Sequence, residues 1–152
     1  MKKSLKTLAV LLCAALALLF TQCSKAPEDL IIGSWIIECT ENTQIQDDET
    51  ETEIETPEEG EQIVLTFNKD NTVVIEETEI EDGTTHITTS RGTYLIADNK
   101  LTLINNDEGD YDSQTYDIDL LDRKAMTLSI SEAYDLYGHH YEYIFKIQLK
   151  KK

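Results

Sequence analysis

The chain is short of positive charge, of cysteine and of catalytic motifs, and each shortage excludes something. Thirteen Lys and Arg stand against 30 Asp and Glu in 152 residues. No basic stripe is available to neutralise phosphates, which excludes nucleic acid as a partner. Of three cysteines, Cys13 lies inside an apolar stretch near the N-terminus, Cys23 ends it, and only Cys39 lies beyond. Once that stretch is cleaved off with Cys13 and the Cys23 thiol is lipidated, the one thiol left makes neither an intrachain disulfide nor a Cys-based zinc site. No Gly-x-Ser-x-Gly occurs, so no nucleophile elbow is signalled. His139 and His140 are adjacent, and neighbours on a strand face opposite sides and cannot chelate together. The sequence therefore reads as non-enzymatic, without a cofactor and without a metal centre built on Cys or His. Long apolar runs are missing too. Leu8 to Phe20 is uncharged for 13 residues, against the roughly 20 that a spanning helix needs.

What flanks that run is informative. Lys2, Lys3 and Lys6 precede it, and a basic start before a short apolar core is the pattern of a secretory signal. It ends on Thr21-Gln22-Cys23 instead of small residues such as Ala-x-Ala. This end resembles a bacterial lipoprotein signal. Gln22 occupies a place usually held by Gly, Ala or Ser, a departure common in lipoproteins of Bacteroides-type bacteria. The resemblance implies that a diacylglyceryl group alkylates the Cys23 thiol, that the chain is cut before it, and that the new amine is acylated. Several acyl chains, at about 0.8 kcal/mol per buried methylene, make a durable membrane anchor. Residues 1–22 are then a signal peptide and 23–30 a lipidated N-terminus and tether. The expected location is the cell envelope, on the outer membrane, with the periplasmic or surface side left open.

Removing residues 1–22 removes three Lys and no acid. The remaining 130 residues carry 30 acids and 10 bases, a formal charge of −20. A chain of this length buries a core without staples. Alternation is clear at Ile63/Leu65/Phe67, Tyr94/Ile96, Leu101/Leu103, Tyr116/Ile118/Leu120, Met126/Leu128/Ile130 and Tyr143/Phe145/Ile147/Leu149. Period two with one wet face means half-buried antiparallel strands. Turn residues fall between them at Asn68-Lys69-Asp70-Asn71, Asp82-Gly83, Asp98-Asn99, Asp122-Arg123-Lys124 and Gly138. Eight strands follow, at 31–39, 62–68, 72–80, 84–97, 100–105, 113–121, 125–131 and 140–149. The fourth is expected to bend at Gly92 through a bulge. The fold class is all-β, one domain over 31–150. An eight-stranded antiparallel up-and-down barrel leaves no exposed edge; a two-sheet sandwich is the alternative.

Three stretches carry a family resemblance. Gly33-Ser34-Trp35 looks like the Gly-x-Trp of lipocalins. The stretch from Ile63 to Val73, IVLTFNKDNTV, and that from Gly92 to Leu103, GTYLIADNKLTL, are similar to segments of lipocalin-like bacterial lipoproteins. The resemblance covers most of 30–149 and implies a lipocalin-like barrel with Trp35 as a structural plug. Lipocalins pair that Trp with a basic residue near the last strand, a role open here to Lys146 or Lys150. It also implies a binding protein, taking a small amphipathic ligand or a partner protein at its open end. An envelope inhibitor or accessory subunit with a packed core, acting through its rim loops, is the other reading. A monomer is expected.

The candidate working surface is that rim. Residues 41–61 hold ten acids and no base, which reads as a flexible solvated loop, in the place of the lid-forming first loop of lipocalins. The loop at 106–112 offers Asp107, Glu108, Asp110 and Tyr111. The loop at 132–139 and its flank offer Tyr134, Tyr137, His139 and Tyr141, aromatic groups suited to recognition. Asp107, Asp110 and Asp112 are weak calcium candidates, because the local glycine sits at the fifth place of the run, not the sixth; an acidic turn is the simpler reading. Cys39 is read as a small apolar residue on the face of Trp35. Phe67, Tyr94, Tyr116, Met126, Tyr143 and Phe145 are read as inward residues that fill the barrel. Bases gather at one end, with Lys25, Lys69, Lys100, Arg123, Lys124 and Lys150 to Lys152, and acids at the other. Cationic or polar partners are therefore favoured over anionic ones.

Overall fold

A computed structural model describes residues 26–47, 49–105 and 113–152. Its elements are α1 (Pro27–Ile31), β1 (Gly33–Gln46), β2 (Glu49–Glu55), β3 (Gln62–Phe67), β4 (Thr72–Glu81), β5 (Thr84–Ala97), β6 (Lys100–Asn105), β7 (Ser113–Leu121), β8 (Ala125–Leu136) and β9 (His139–Lys151). Every pairing is antiparallel, in the order β2-β1-β3-β4-β5-β6-β7-β8-β9, and β1 also pairs with β9. The sheet therefore closes. β3 pairs with Gly33–Ile36 of β1 and β2 with Thr40–Gln46 of the same edge. β2 thus continues the wall above β3, and eight strand positions make the barrel. No helix among the described residues is long and apolar enough to cross a membrane.

One end is plugged. Pro27 opens a single helical turn, where its missing N–H loses nothing. The turn carries Ile31 onto Trp35, and both are fully buried. Trp35 Nε1–H donates to the Ile31 carbonyl at 2.6 Å. The basic partner is Lys151, not Lys146 or Lys150. Its ammonium donates to the Leu30 carbonyl at 2.8 Å and lies 4.8 Å from the Trp35 ring centroid. The reason is register: Trp35 lies directly opposite Lys151, while Lys150 faces the other side and Lys146 pairs with Glu41 farther up. Gly33, at φ 120°, gives Lys151 its room, because a Cβ there would come within 3.1 Å of Cε. Above the plug, Phe67, Leu101, Met126, Leu128 and Leu149 fill the barrel, and the Phe67 and Tyr94 rings meet edge to face at 5.0 Å.

Five expectations need correction. The acidic stretch 41–61 is mostly strand: β1 runs on to Gln46, and Glu49–Glu55 returns beside it with seven successive pairs. The Thr/Glu alternation that suggested solvation sorts every Glu of β2 onto one face and Thr50, Thr52 and Ile54 onto the other, a pattern a strand accepts. Likewise 132–139 is no loop, because β8 and β9 continue to a two-residue turn at Tyr137-Gly138 with φ of 52° and 85°, the mirror-image geometry that matches strand twist. The bulges lie elsewhere than Gly92. One falls between Ile37 and Cys39 and moves Cys39 off the Trp35 face; the other, between Ile118 and Leu120, turns Leu121 inward and leaves Leu120 exposed.

Gly92 matters for a different reason. It is where β5 passes from β4 to β6, opposite Val73 on one side and Asn105 on the other. A Cβ there would lie 2.2 Å from the Ile104 carbonyl oxygen, a backbone atom. Gly92→Ala is expected to destabilise the protein by about 1–3 kcal/mol, the range for overpacking, read as a lower denaturation midpoint. An unchanged midpoint would show that the two backbones can part freely.

Candidate functional site

The barrel interior is too full to hold much. The void among Ile63, Leu65, Tyr116 and Ile147 is about 160 Å³, below the roughly 300 Å³ of small ligand pockets. The large space lies higher. An open cleft of about 940 Å³ is bounded by the upper halves of β1, β2, β8 and β9 and by Gln114 of β7.

Its wall follows from register. β9 keeps its alternation, so Leu149, Ile147, Phe145, Tyr143 and Tyr141 share one face. In β1 the bulge after Ile37 inserts a residue, so that face passes from Trp35 and Ile37 to Thr40, Asn42, Gln44 and Gln46. Three rungs cross the four strands. Glu53, Asn42, Phe145 and Ile130 form the lowest, then Glu51, Gln44, Tyr143 and Glu132, then Glu49, Gln46, Tyr141 and Tyr134. The β2 carboxylates thus line one side and the β9 rings the other, with β1 amides between and Glu132 of β8 beside Tyr143. Tyr134 stacks on Tyr141 at 5.4 Å and on Tyr143 at 6.1 Å. A hydrogen bond with Tyr143, then desolvation, raises the Tyr134 hydroxyl pKa.

The tips of two hairpins are tied together beside this wall. Asp47, at φ 54°, accepts from His139 Nδ1–H at 2.7 Å and from the His140 backbone N–H at 3.0 Å. Its own N–H donates to the His140 carbonyl at 2.9 Å. His140 Nδ1 meets Asp135 at 2.8 Å. The two histidines face opposite ways and each takes its own carboxylate, so they orient hairpins and do not converge on an ion. No group of three or more metal-ligating side chains occurs among the described residues.

Of the residues singled out in the sequence, Tyr134 and Tyr141 meet in the ladder, and His139 holds Asp47 and lies edge-on to Tyr141 at 6.5 Å. Tyr137 stands apart on the turn, 94 % exposed. Gly33 and Trp35 belong to the plug at the other end. Cys23, Asp107, Glu108, Asp110, Tyr111 and Asp112 lie outside the described residues. Asn42, Gln44, Glu51, Glu53 and Glu132 fall within the rim segments 41–61 and 132–139 expected from the sequence, but there as members of loops, not as side chains of a strand wall. The reading assigned Tyr143 and Phe145 to the packed interior, but Tyr143 is 40 % exposed and lines the cleft. The available signal was the strict Glu alternation of 49–55, which places four carboxylates on one face of any strand.

The clasp has a pH signature. The hydrogen bond from His139, then that from the His140 backbone, holds the Asp47 carboxyl below the ordinary aspartate range. A depressed folded value means that the clasp contributes above the unfolded pKa and is lost as pH falls through the folded one. A carboxyl-carbon NMR titration should place the Asp47 midpoint below that of an unstructured aspartate, and His139→Ala should raise it. A midpoint unmoved by that substitution would remove His139 as the cause.

Known proteins bear on this architecture. The profile of a lipocalin-like domain matches residues 31–128. A lipocalin-like protein from Bacteroides uniformis superimposes with a TM-score of 0.50 at 16 % identity, over 80 % of this chain and 98 % of the other. A protein from Bacteroides eggerthii gives a TM-score of 0.48 at 13 % identity, over the same shares. Bovine odorant binding protein, as a deswapped triple mutant, gives 0.39 at 15 % identity, over 80 % and 74 %. Among curated sequences none matches. With the profile spanning most of a closed eight-stranded barrel, the chain belongs to the lipocalin-like domain family.

Proposed function

We propose that the protein is a membrane-anchored, non-enzymatic binding lipoprotein whose open cleft takes a small amphipathic cation, an organic amine or ammonium with an apolar body. The observation that carries this reading is the cleft wall. Glu51, Glu53 and Glu132 supply negative charge, while Tyr143 and Phe145 supply ring faces and edges on the same surface. Carboxylates pair with an ammonium head, aromatic faces add cation–π attraction of about 0.5–2 kcal/mol, and Ile130 and Phe145 receive the apolar body. The lipocalin-like fold is a binding fold, which agrees. An accessory subunit acting through its rim is the second reading, favoured by the small void of the barrel itself.

Titration with dodecyltrimethylammonium below its micelle concentration, followed by tyrosine fluorescence, tests the cleft. Binding is expected, with dodecyl sulfate excluded. Glu51→Gln with Glu53→Gln should weaken it by about tenfold, or 1.4 kcal/mol, and Tyr143→Ala by a similar factor. Equal binding of the anionic detergent would defeat the reading.

The anchor belongs to the same proposal. Support comes from Lys2, Lys3, Lys6, the apolar run and Cys23, and the outer membrane of a Gram-negative envelope is the proposed location. Cys23→Ser should leave an unprocessed precursor without acyl label. Normal processing and labelling of that variant would end the lipoprotein reading.

A further inference from the structure

We propose that the unpaired edge of β2 is a docking site for an extended basic segment of another polypeptide, which adds to the wall as a further strand. Among the described residues β2 pairs with β1 alone. All seven of its residues are exposed, and its register on β1 runs without a bulge. Such an edge presents a row of backbone donors and acceptors to any strand that fits. Edges are protected by charged side chains, Pro, a bulge or a covering element. β2 has no Pro, Lys or bulge; its protection is the row Glu49, Glu51, Glu53 and Glu55 on one face, with Thr50, Thr52 and Ile54 on the other, and a guard of one sign repels acidic edges but not a basic strand.

The neighbouring wall shows what the edge rejects and what it accepts. β3 reaches only Thr78 of β4, so among the described residues Glu79–Glu81 also has no strand partner on the side towards β2. A slot of about 270 Å³ lies at the foot of the two edges, where Glu55 and Glu61, the latter in the link to β3, face Glu77 and Glu79 above Ile37 and Ile63. Glu77 lies opposite Ile63 and shares its inward face, so Glu77, Glu79 and Glu81 face the cup as the β2 glutamates do. Direct pairing of the two edges would set glutamates opposite one another with Cβ atoms about 4.5–5.5 Å apart, and like charges so placed repel. A second copy pairing through β2 would meet the same opposition. A strand with Lys or Arg at alternate positions reverses the sign. Its cations lie between two acidic rows, and its intervening side chains meet Thr50, Thr52 and Ile54. Charge complementarity therefore selects a basic extended peptide, and strand addition supplies the main-chain bonds. This site is distinct from the cleft, although Glu51 and Glu53 border both.

The test uses the full-length protein in micelles of neutral detergent. The probe is a seven-residue peptide that alternates Lys with Thr or Val, matching the length of β2. Amide hydrogen exchange read by mass spectrometry should slow across 49–55 on binding, and added salt should weaken the complex. N-methylation of one alternating set of peptide amides should weaken binding by about tenfold or more, the net effect of one or two lost main-chain bonds. N-methylation of the other set should have less effect, and a Glu-for-Lys peptide should not bind. Equal binding by both N-methylated peptides would mean attraction by charge alone and overturn the proposal. So would protection confined to β8 and β9, failure of the Lys peptide to bind, or a protein dimer with β2 protected in the absence of peptide. Dodecyltrimethylammonium binding is unaffected by any of these results, so the cleft reading stands or falls separately.

Discussion

Trp35 and Lys151 lie opposite one another where the first barrel strand meets the last, and the rest of the structure depends on that contact. The indole N–H is satisfied by the Ile31 carbonyl, and the ammonium by the Leu30 carbonyl at the edge of the ring. Neither polar atom is left unpaired as it approaches the core, where an orphan donor costs about 1–3 kcal/mol. The same residues fix the register of β1 on β9, and with it closure of the sheet. Truncating a buried Trp or Phe typically costs about 3–5 kcal/mol, a large share of a small domain's stability. The plugged end is therefore where the barrel is specified, which leaves the opposite end tolerant of polar and charged walls.

A single extra residue converts one regime into the other. Without the bulge after Ile37, the alternation of β1 would have turned Cys39, Glu41, Thr43 and Ile45 towards the cup. With it, Thr40, Asn42, Gln44 and Gln46 face the cup and Ile45 lies opposite Glu142 on the outside. β9 has no such shift, so its face grades continuously from Leu149 through Phe145 to Tyr141. The cleft wall is thus a product of two strands read in different phase. Its amides sit between the β2 carboxylates and the β9 rings because one strand slipped and the other did not.

This explains which parts could be read from the sequence. The strands from 62 to 131 alternate strictly in most places, and their turns carry residues that accept positive φ, such as Asp98 and Asn99 at 52° and 61°. The barrel and its plug were legible for that reason. The bulges were not, because a register shift is decided by the partner strand and leaves no mark in a single run of residues. Leu120 therefore looked like an inward residue after Ile118, when Leu121 takes that place. Acidity misled at 41–61, since composition signals solvation whether or not the backbone is paired. Lys151 was passed over for Lys146 and Lys150 because only the register distinguishes three lysines so near the C-terminus.

Charge and packing are finally one argument. The formal charge of −20 on residues 23–152 is not evenly spread, for the acids of β2 and the upper part of β4 share one rim while Lys69, Lys100, Arg123, Lys124 and Lys150 to Lys152 cluster about the turns and chain end opposite. Repulsion along that rim works against closing the wall between β2 and β4, whose glutamates face the same cup. The buried apolar residues below hold the barrel together without help from the rim, so the rim can remain electrostatically unsatisfied while the fold stays intact. A cation held in the cleft, or along the β2 edge, relieves the same repulsion. Binding at the rim and rim stability would then be linked by mass action: a positive group held there would tighten the part of the wall that holds it.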